Sequence, residues 1–237
     1  MSIGDGIRPC VDTAEMSWIA PALRPFAEGV GSWVPPVFEA YARLLHPAGG
    51  PHGQPIRWAE VAAWSGGTIH ALAQWVPMAR PRQPASSAQP FLAAPADGRL
   101  TPDTLAALCD LLASHTATPE RCYFGVWEGY GWVGPGARFA AHLDLPERTH
   151  HMFRGPLSRV QEIGSEVGGF FRQESPSLIF PADRSWFVAT EVDFDSTYLG
   201  GSQELVDAVV ADQRLEAWPV SATDPTDAGS DPINRFA

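Results

Sequence analysis

Along this chain, apolar and polar positions alternate over short stretches more often than they recur at helical spacing. In "VFEAYARLLHP", Phe38, Ala40, Ala42 and Leu44 alternate with Glu39, Tyr41, Arg43 and Leu45. The composition also permits a short helix, but Pro36 and Pro47 bracket a strand-like length. "RCYFGVWEGYGW" reads as a strand running into a glycine turn, and "RTHHMFRGP" as another strand. "PSLIFPADRSWFVATEVDF" predicts two strands around a turn at Pro181, Ala182, Asp183 and Arg184. In the second of these, Trp186, Val188, Thr190, Val192 and Phe194 share a face suited to a core. Phe187, Ala189, Glu191, Asp193 and Asp195 share the other, which begins apolar and turns acidic. "LEAWPV" gives a last strand.

Helical spacing is clearest in "TPDTLAALCDLLASHT". Thr101 suits the N-cap, Pro102 the first helical position, and Leu105, Leu108, Leu111 and Leu112 form one face. "PIRWAEVAAWSGG" predicts a helix stopped at Gly66-Gly67. "TIHALAQWVPM" follows as another short element. Ser202 caps a helix over "QELVDAVVAD", and Ser158 with Gln161 at capping-box spacing predicts a short helix in "LSRVQEIGSEVGGFF". The C-terminal order is strand, strand, helix, hairpin, helix, strand. The expected fold is α+β, a largely antiparallel sheet with a few short helices packed on one face.

Residues 1–36 read as an N-terminal arm with one short helix around 16–27. Residues 37–220 read as a single domain. A subdomain break is open at 79–99, which is rich in Pro, Ala and Ser and equally suits a surface loop pinned by Phe91 and Leu92. Residues 221–237 read as a loose acidic tail.

Composition narrows the function classes. Net charge is −11 with a pI near 5.0, which repels phosphate backbones and argues against nucleic-acid binding. A basic protein partner or a cationic ligand fits better. All 16 basic residues are Arg. The absence of Lys excludes a P-loop lysine, a Schiff base and a Ser-Lys pair. Cys10, Cys109 and Cys122 form no C-x-x-C, and a scattered odd count suits a reducing, cytoplasmic location. No apolar run approaches about 18 residues, so no membrane span is expected. Nine Trp residues suit a cleft or an interface as well as a core.

Candidate chemistry falls in three places. Glu191, Asp193 and Asp195 would lie about 7 Å apart on one strand face, and would repel unless water, an arginine or a cation intervenes. Asp193 and Asp195 are the candidate metal ligands, with further oxygens needed from elsewhere. Arg154 and Arg121 are candidate partners for a salt-bridged outer face. His150 and His151 point to opposite faces of their strand, so one of them can meet the acids. "EGYGWVG" contains G-x-G-x-x-G at Gly129, Gly131 and Gly134, but no amphipathic helix follows, as a dinucleotide site requires. Trp127, Glu128, Tyr130 and Trp132 in that loop suit a binding lip or a cap on the core.

The segments "LHPAG", "RWAEVAAWSG", "CYFGVWEGYG", "FRGPL" and "PADRSWFVATEVDFDSTYLGGS" together resemble an uncharacterised family of single-domain cytoplasmic proteins from G+C-rich bacteria. The resemblance spans most of the chain beyond Pro35, implies one shared fold and carries no activity, cofactor or site residue. The leading expectation is a non-enzymatic binding protein with a protein partner, as in immunity or antitoxin-like factors. The alternatives are a hydrolase or lyase using Glu191, Asp193 and His150 or His151, with or without a divalent metal, and a small-ligand carrier with a Trp-lined cleft. The cofactor is unknown.

Overall fold

The computed structural model describes residues 3–4, 6–83, 87–133, 137 and 139–235. In chain order, β1 (Arg8–Pro9) precedes the four-residue α1 (Ile19–Ala22). Then come β2 (Ala40–Leu45), the small β3 (Ala48–Gly49) and β4 (Pro55–Ile56), α2 (Trp58–Ser65), α3 (Trp75–Ala79) and α4 (Pro102–Ser114). The next strands are β5 (Cys122–Trp127), β6 (His142–Leu145), β7 (Arg148–Gly155), β8 (Gly164–Val167) and β9 (Phe170–Gln173). The chain closes with β10 (Leu178–Pro181), β11 (Phe187–Ala189), β12 (Ser196–Gly201), α5 (Gln203–Ala211) and β13 (Ala217–Val220).

Nine strands form one sheet in the order β1-β7-β5-β10-β11-β12-β2-β13, with β6 also on β7. Every pairing in it is antiparallel. The expected α+β architecture is therefore present. The central strands are apolar at nearly every position because both faces are covered. On one face, Leu105, Leu108 and Leu112 of α4 and Leu205, Val206 and Val209 of α5 pack on Phe124, Phe153, Val188 and Leu199. Thr101 and Ser202 cap these helices through their side chains, as their positions in the sequence predict. On the other face, Met16, Ile19, Val30 and Val34 of the N-terminal segment lie on Tyr123, Met152, Phe180, Phe187 and Tyr198. The residues read as an arm are thus the second covering layer. A third cluster joins α2 and α3 to Leu45 and Ile56, with Trp58 and Trp75 in edge contact at 5.3 Å.

Two expectations are corrected. The helix expected over "LSRVQEIGSEVGGFF" is only a 3-10 run, Leu157–Glu162, with no side-chain cap. The rest is the β8–β9 hairpin, because Gly168 and Gly169 take φ of 60° and 82° and make the tight turn such hairpins need. The strand expected over 186–194 stops at Ala189. Beyond it, the stretch "STYLGG" is β12, an interior strand. Its glycines are packing sites: a Cβ on Gly200 would come within 2.6 Å of the Phe38 ring.

The tail expected to be loose is fastened. The Asp231 carboxylate accepts from the backbone amides of Gln74, Ile233 and Asn234 and lies 3.0 Å from His70 Nε2. Asn234 exchanges two hydrogen bonds with the Thr68 backbone. Side-chain amide and carboxylate groups here replace regular secondary structure. In the 79–99 stretch, Phe91 packs on Trp64 and Trp75, while Leu92 stays exposed.

Candidate functional site

Residues 190–195 connect β11 to β12 as a turn, closed by Phe194 N–H donating to the Glu191 carbonyl at 3.0 Å. The backbone of Gly98 presses against it. Gly98 N–H donates to Phe194 O, and a Cβ on Gly98 would lie 2.6 Å from Val192 O. Its φ of 68° also favours glycine. Thr190 is tied into the sheet through Thr197 Oγ1 at 2.7 Å, which in turn meets His46 Nε2 at 2.9 Å. His46 is buried and its other ring nitrogen lies 2.7 Å from the Ala96 carbonyl. Burial drives its pKa down to about 4.

Because the acids sit on a turn, they do not share a face. Glu191 is 8% exposed and is gripped by Arg148, whose Nε donates to Oε1 at 2.9 Å and whose Nη2 donates to the same oxygen. Asp193 is exposed and meets Arg148 Nη2 at 3.0 Å from the outer side. Asp195 turns the other way, 3.4 Å from Arg43 Nη2. Arg43 is itself buried and spent on Ser196 Oγ and the carbonyls of Ala71 and Ala73. The arginine partners are therefore Arg148 and Arg43, not Arg154 or Arg121. Burial raises the pKa of Glu191, opposed by Arg148, and burial raises that of Asp195, opposed by Arg43. Asp193 and Asp195, the expected metal ligands, meet different arginines. Among the described residues no three His, Cys, Asp or Glu side chains converge as a metal site would require.

The turn separates two clefts. The first lies between the N-terminal segment and the sheet and is small, about 30 Å³. Leu23, Trp33, Leu145, Leu178 and Ala189 make its apolar walls, and Ser32, Arg148, His150 and Glu191 its polar ones. The second, about 550 Å³, is lined by Trp75, Phe194, Asp97, Asp193, Asp195 and Asp227 among others.

The β5–β7 and β6–β7 registers place Arg148, His150 and Met152 on the face toward the N-terminal segment. His150 is 4% exposed, and its Nδ1 has no hydrogen-bond partner among the described residues. Burial, then the charge of Arg148 and the neighbouring His151, lower its pKa to about 4. His151 faces the opposite way and meets His142 edge-on at 4.6 Å. The structure thus brings His150 and Glu191 to one cleft, puts Asp193 and Asp195 on the other, and leaves His151 apart.

Trp127, Tyr130 and Trp132 form a contact chain, with ring centroids 5.3 and 5.5 Å apart. Tyr130 donates its hydroxyl to Gly98 O at 2.6 Å, and Tyr130 and Trp132 pack on the helix-side core. They line neither cleft, and Glu128 is exposed. Gly134, the third glycine of the G-x-G-x-x-G, lies outside the described residues. Trp127 reaches the first cleft indirectly: its ring and that of Phe26 each lie 5.7 Å from the Arg148 guanidinium carbon. Sequence reasoning missed Arg148, Trp33 and Phe26. Arg148 was readable, standing two residues before His150 and so on the same strand face. Trp33 and Phe26 carry no local signal.

No family model, characterised protein or solved structure matches the chain.

Proposed function

We propose that this is a cytoplasmic small-ligand-binding protein whose site is the first cleft. The observation that carries the reading is His150. A buried polar atom without a partner is rare and calls for an explanation. Here His150 Nδ1, one of seven such buried side-chain atoms among the described residues, stands in the wall of a cleft with apolar sides and a fixed ion pair, which is the usual make-up of a small-molecule site. The cytoplasmic part of the proposal rests on three free thiols, two of them buried. A hydrolytic role has weaker support, because Asp193 and His151 stand apart from Glu191 and His150.

The test is a thermal-shift and tryptophan-fluorescence screen of a broad metabolite panel. A ligand at 100 times its Kd adds about 2.7 kcal/mol, which raises Tm by roughly 5–10 °C in a chain of this size. His150→Leu should keep the fold and remove the shift. A shift that survives both His150→Leu and Trp33→Leu would sink the reading, as would a panel without any shift.

A second reading, a basic protein partner, is favoured by the β8–β9 hairpin. Val167 and Phe170 flank its turn at 59% and 79% exposure, and Phe171 is half exposed. An apolar hairpin tip on a chain of charge −11 suits a partner with an apolar pocket in a basic surface. Phe170→Ser should abolish capture of such a partner from lysate, with binding that weakens as salt rises. Capture that ignores both would end this reading.

A further inference from the structure

We infer that the second cleft is a separate site, for a small aliphatic diamine bound with both ends as ammonium groups. The cavity itself carries the inference: at about 550 Å³ it has the size of a small-molecule pocket. Trp75, Val76, Pro77 and Phe194 give it apolar walls on which a methylene chain can lie, and Val76 is 75% exposed there. Asp97, Asp193, Asp195 and Asp227 give it charge, against the one guanidinium of Arg43. Nearby arginines do not balance these acids. Arg43 is 3.4 Å from Asp195, and Arg148 divides itself between Asp193 and Glu191. Asp97 and Asp227 have no arginine within ion-pair distance among the described residues.

The way the charge is spread selects the ligand. Burial and then the charge of Asp193 raise the pKa of Asp97; burial raises that of Asp195, with Asp97 adding to it against Arg43. These three acids therefore feel one another. Asp227 stands apart from them on the C-terminal segment, its Oδ1 held by the Gly229 N–H at 2.8 Å. The negative charge thus lies at two places on one cleft. A metal ion needs converging ligands, and among the described residues no three suitable side chains converge. A carboxylate or phosphate would meet a net negative lining. A single ammonium answers only one of the two places. Two ammonium groups joined by methylenes answer both, gain from the rings of Trp75 and Phe194, and set their chain against the apolar walls.

The experiment compares four probes of one chain length: 1,5-diaminopentane, n-pentylamine, 1,5-pentanediol and glutarate. Each is titrated into the full-length protein and followed by tryptophan fluorescence, with Trp75 in the cleft wall as reporter. The diamine should bind roughly threefold more tightly than the monoamine, the worth of one further exposed ion pair, and more weakly as salt rises. The diol and glutarate should not bind. Asp97→Asn and Asp227→Asn, both at exposed positions, should each bring the diamine down to the monoamine's affinity. Calcium ion at equal concentration should not displace it. His150→Leu should leave diamine binding unchanged, since the two clefts share no lining residue. Equal binding of diamine and monoamine, binding of the diol or glutarate as tight as the diamine's, or binding by none of the four overturns the inference. So does displacement by calcium, diamine binding that a folded aspartate variant leaves unchanged, or its loss in His150→Leu. None of these results decides the first cleft, which the metabolite panel tests separately.

Discussion

Replacing His150 by leucine should make the protein more acid-resistant, and the size of the effect follows from its burial. The imidazole titrates near 6.5 in an unfolded chain and near 4 in the folded one. Between those values the unfolded state binds the extra proton. Stability therefore falls as pH falls through that window and levels off below about 4. At pH 4.5 the linkage cost is about 2–3 kcal/mol relative to pH 7.5, from roughly 1.4 kcal/mol per pKa unit with the fraction already protonated taken into account. His150→Leu removes this cost. It also removes a buried nitrogen without a partner, so the variant should match or exceed the parent even at pH 7.5. His46, with the same lowered pKa, and Glu191, Asp195 and Glu216, whose raised values act in the opposite sense, are present in both proteins and largely cancel in the difference. Urea unfolding at pH 7.5 and 4.5 measures the gap, which should widen by about 2–3 kcal/mol on acidification. A constant gap, or an NMR titration of His150 with its midpoint near 6.5, would refute the argument.

Three further outcomes follow from particular contacts. Arg148→Met strands Glu191 as a buried charge and should cost about 3–5 kcal/mol in urea unfolding, whereas Asp193→Asn on the exposed side of the same arginine should cost under about 1 kcal/mol; equal costs would show that the pair is solvated. Asp231→Ala removes the acceptor for three backbone amides, so hydrogen exchange should accelerate across 221–235 while β5 and β10 stay protected; uniform acceleration would mean that the tail is part of the global unfolding unit. Thr101→Ala should cost about 1 kcal/mol through the lost bond to Thr104 N–H, and no change would mean that the cap is replaced by water.

Much of the fold was legible because its signals are local. The α4 stretch carries its own cap, first-turn proline and leucine face, and α2 ends at Gly66, whose φ of 74° no other residue adopts cheaply. The failures occurred where glycine or a distant segment decides. The short helix expected at Ser158 forms only as a 3-10 run, its Ser158 and Gln161 spacing caps nothing, and Gly168-Gly169 turn the chain into a hairpin beyond it. "STYLGG" is an interior strand built largely of small side chains. A Cβ on its Gly200 would meet Phe38 and Val34, which approach from another part of the chain and leave no mark in the local sequence.

The acidic stretch shows the same division at the site itself. Alternation of Glu191, Asp193 and Asp195 is real in the sequence, and on a strand it would have forced three carboxylates to one side. The turn that replaces the strand is held from far away in the chain: the backbone of Gly98, nearly a hundred positions earlier, sits against Val192, and its amide donates to the Phe194 carbonyl. Once the segment turns, each acid acquires its own surroundings: Glu191 an arginine inside a cleft, Asp193 the solvent side of that arginine, Asp195 a second arginine on the far side. Solvent, arginine and cleft are then not rival descriptions of one acidic face. The turn separates three like charges that a strand would have crowded together, and of the three only Glu191 lines the cleft that His150 also lines.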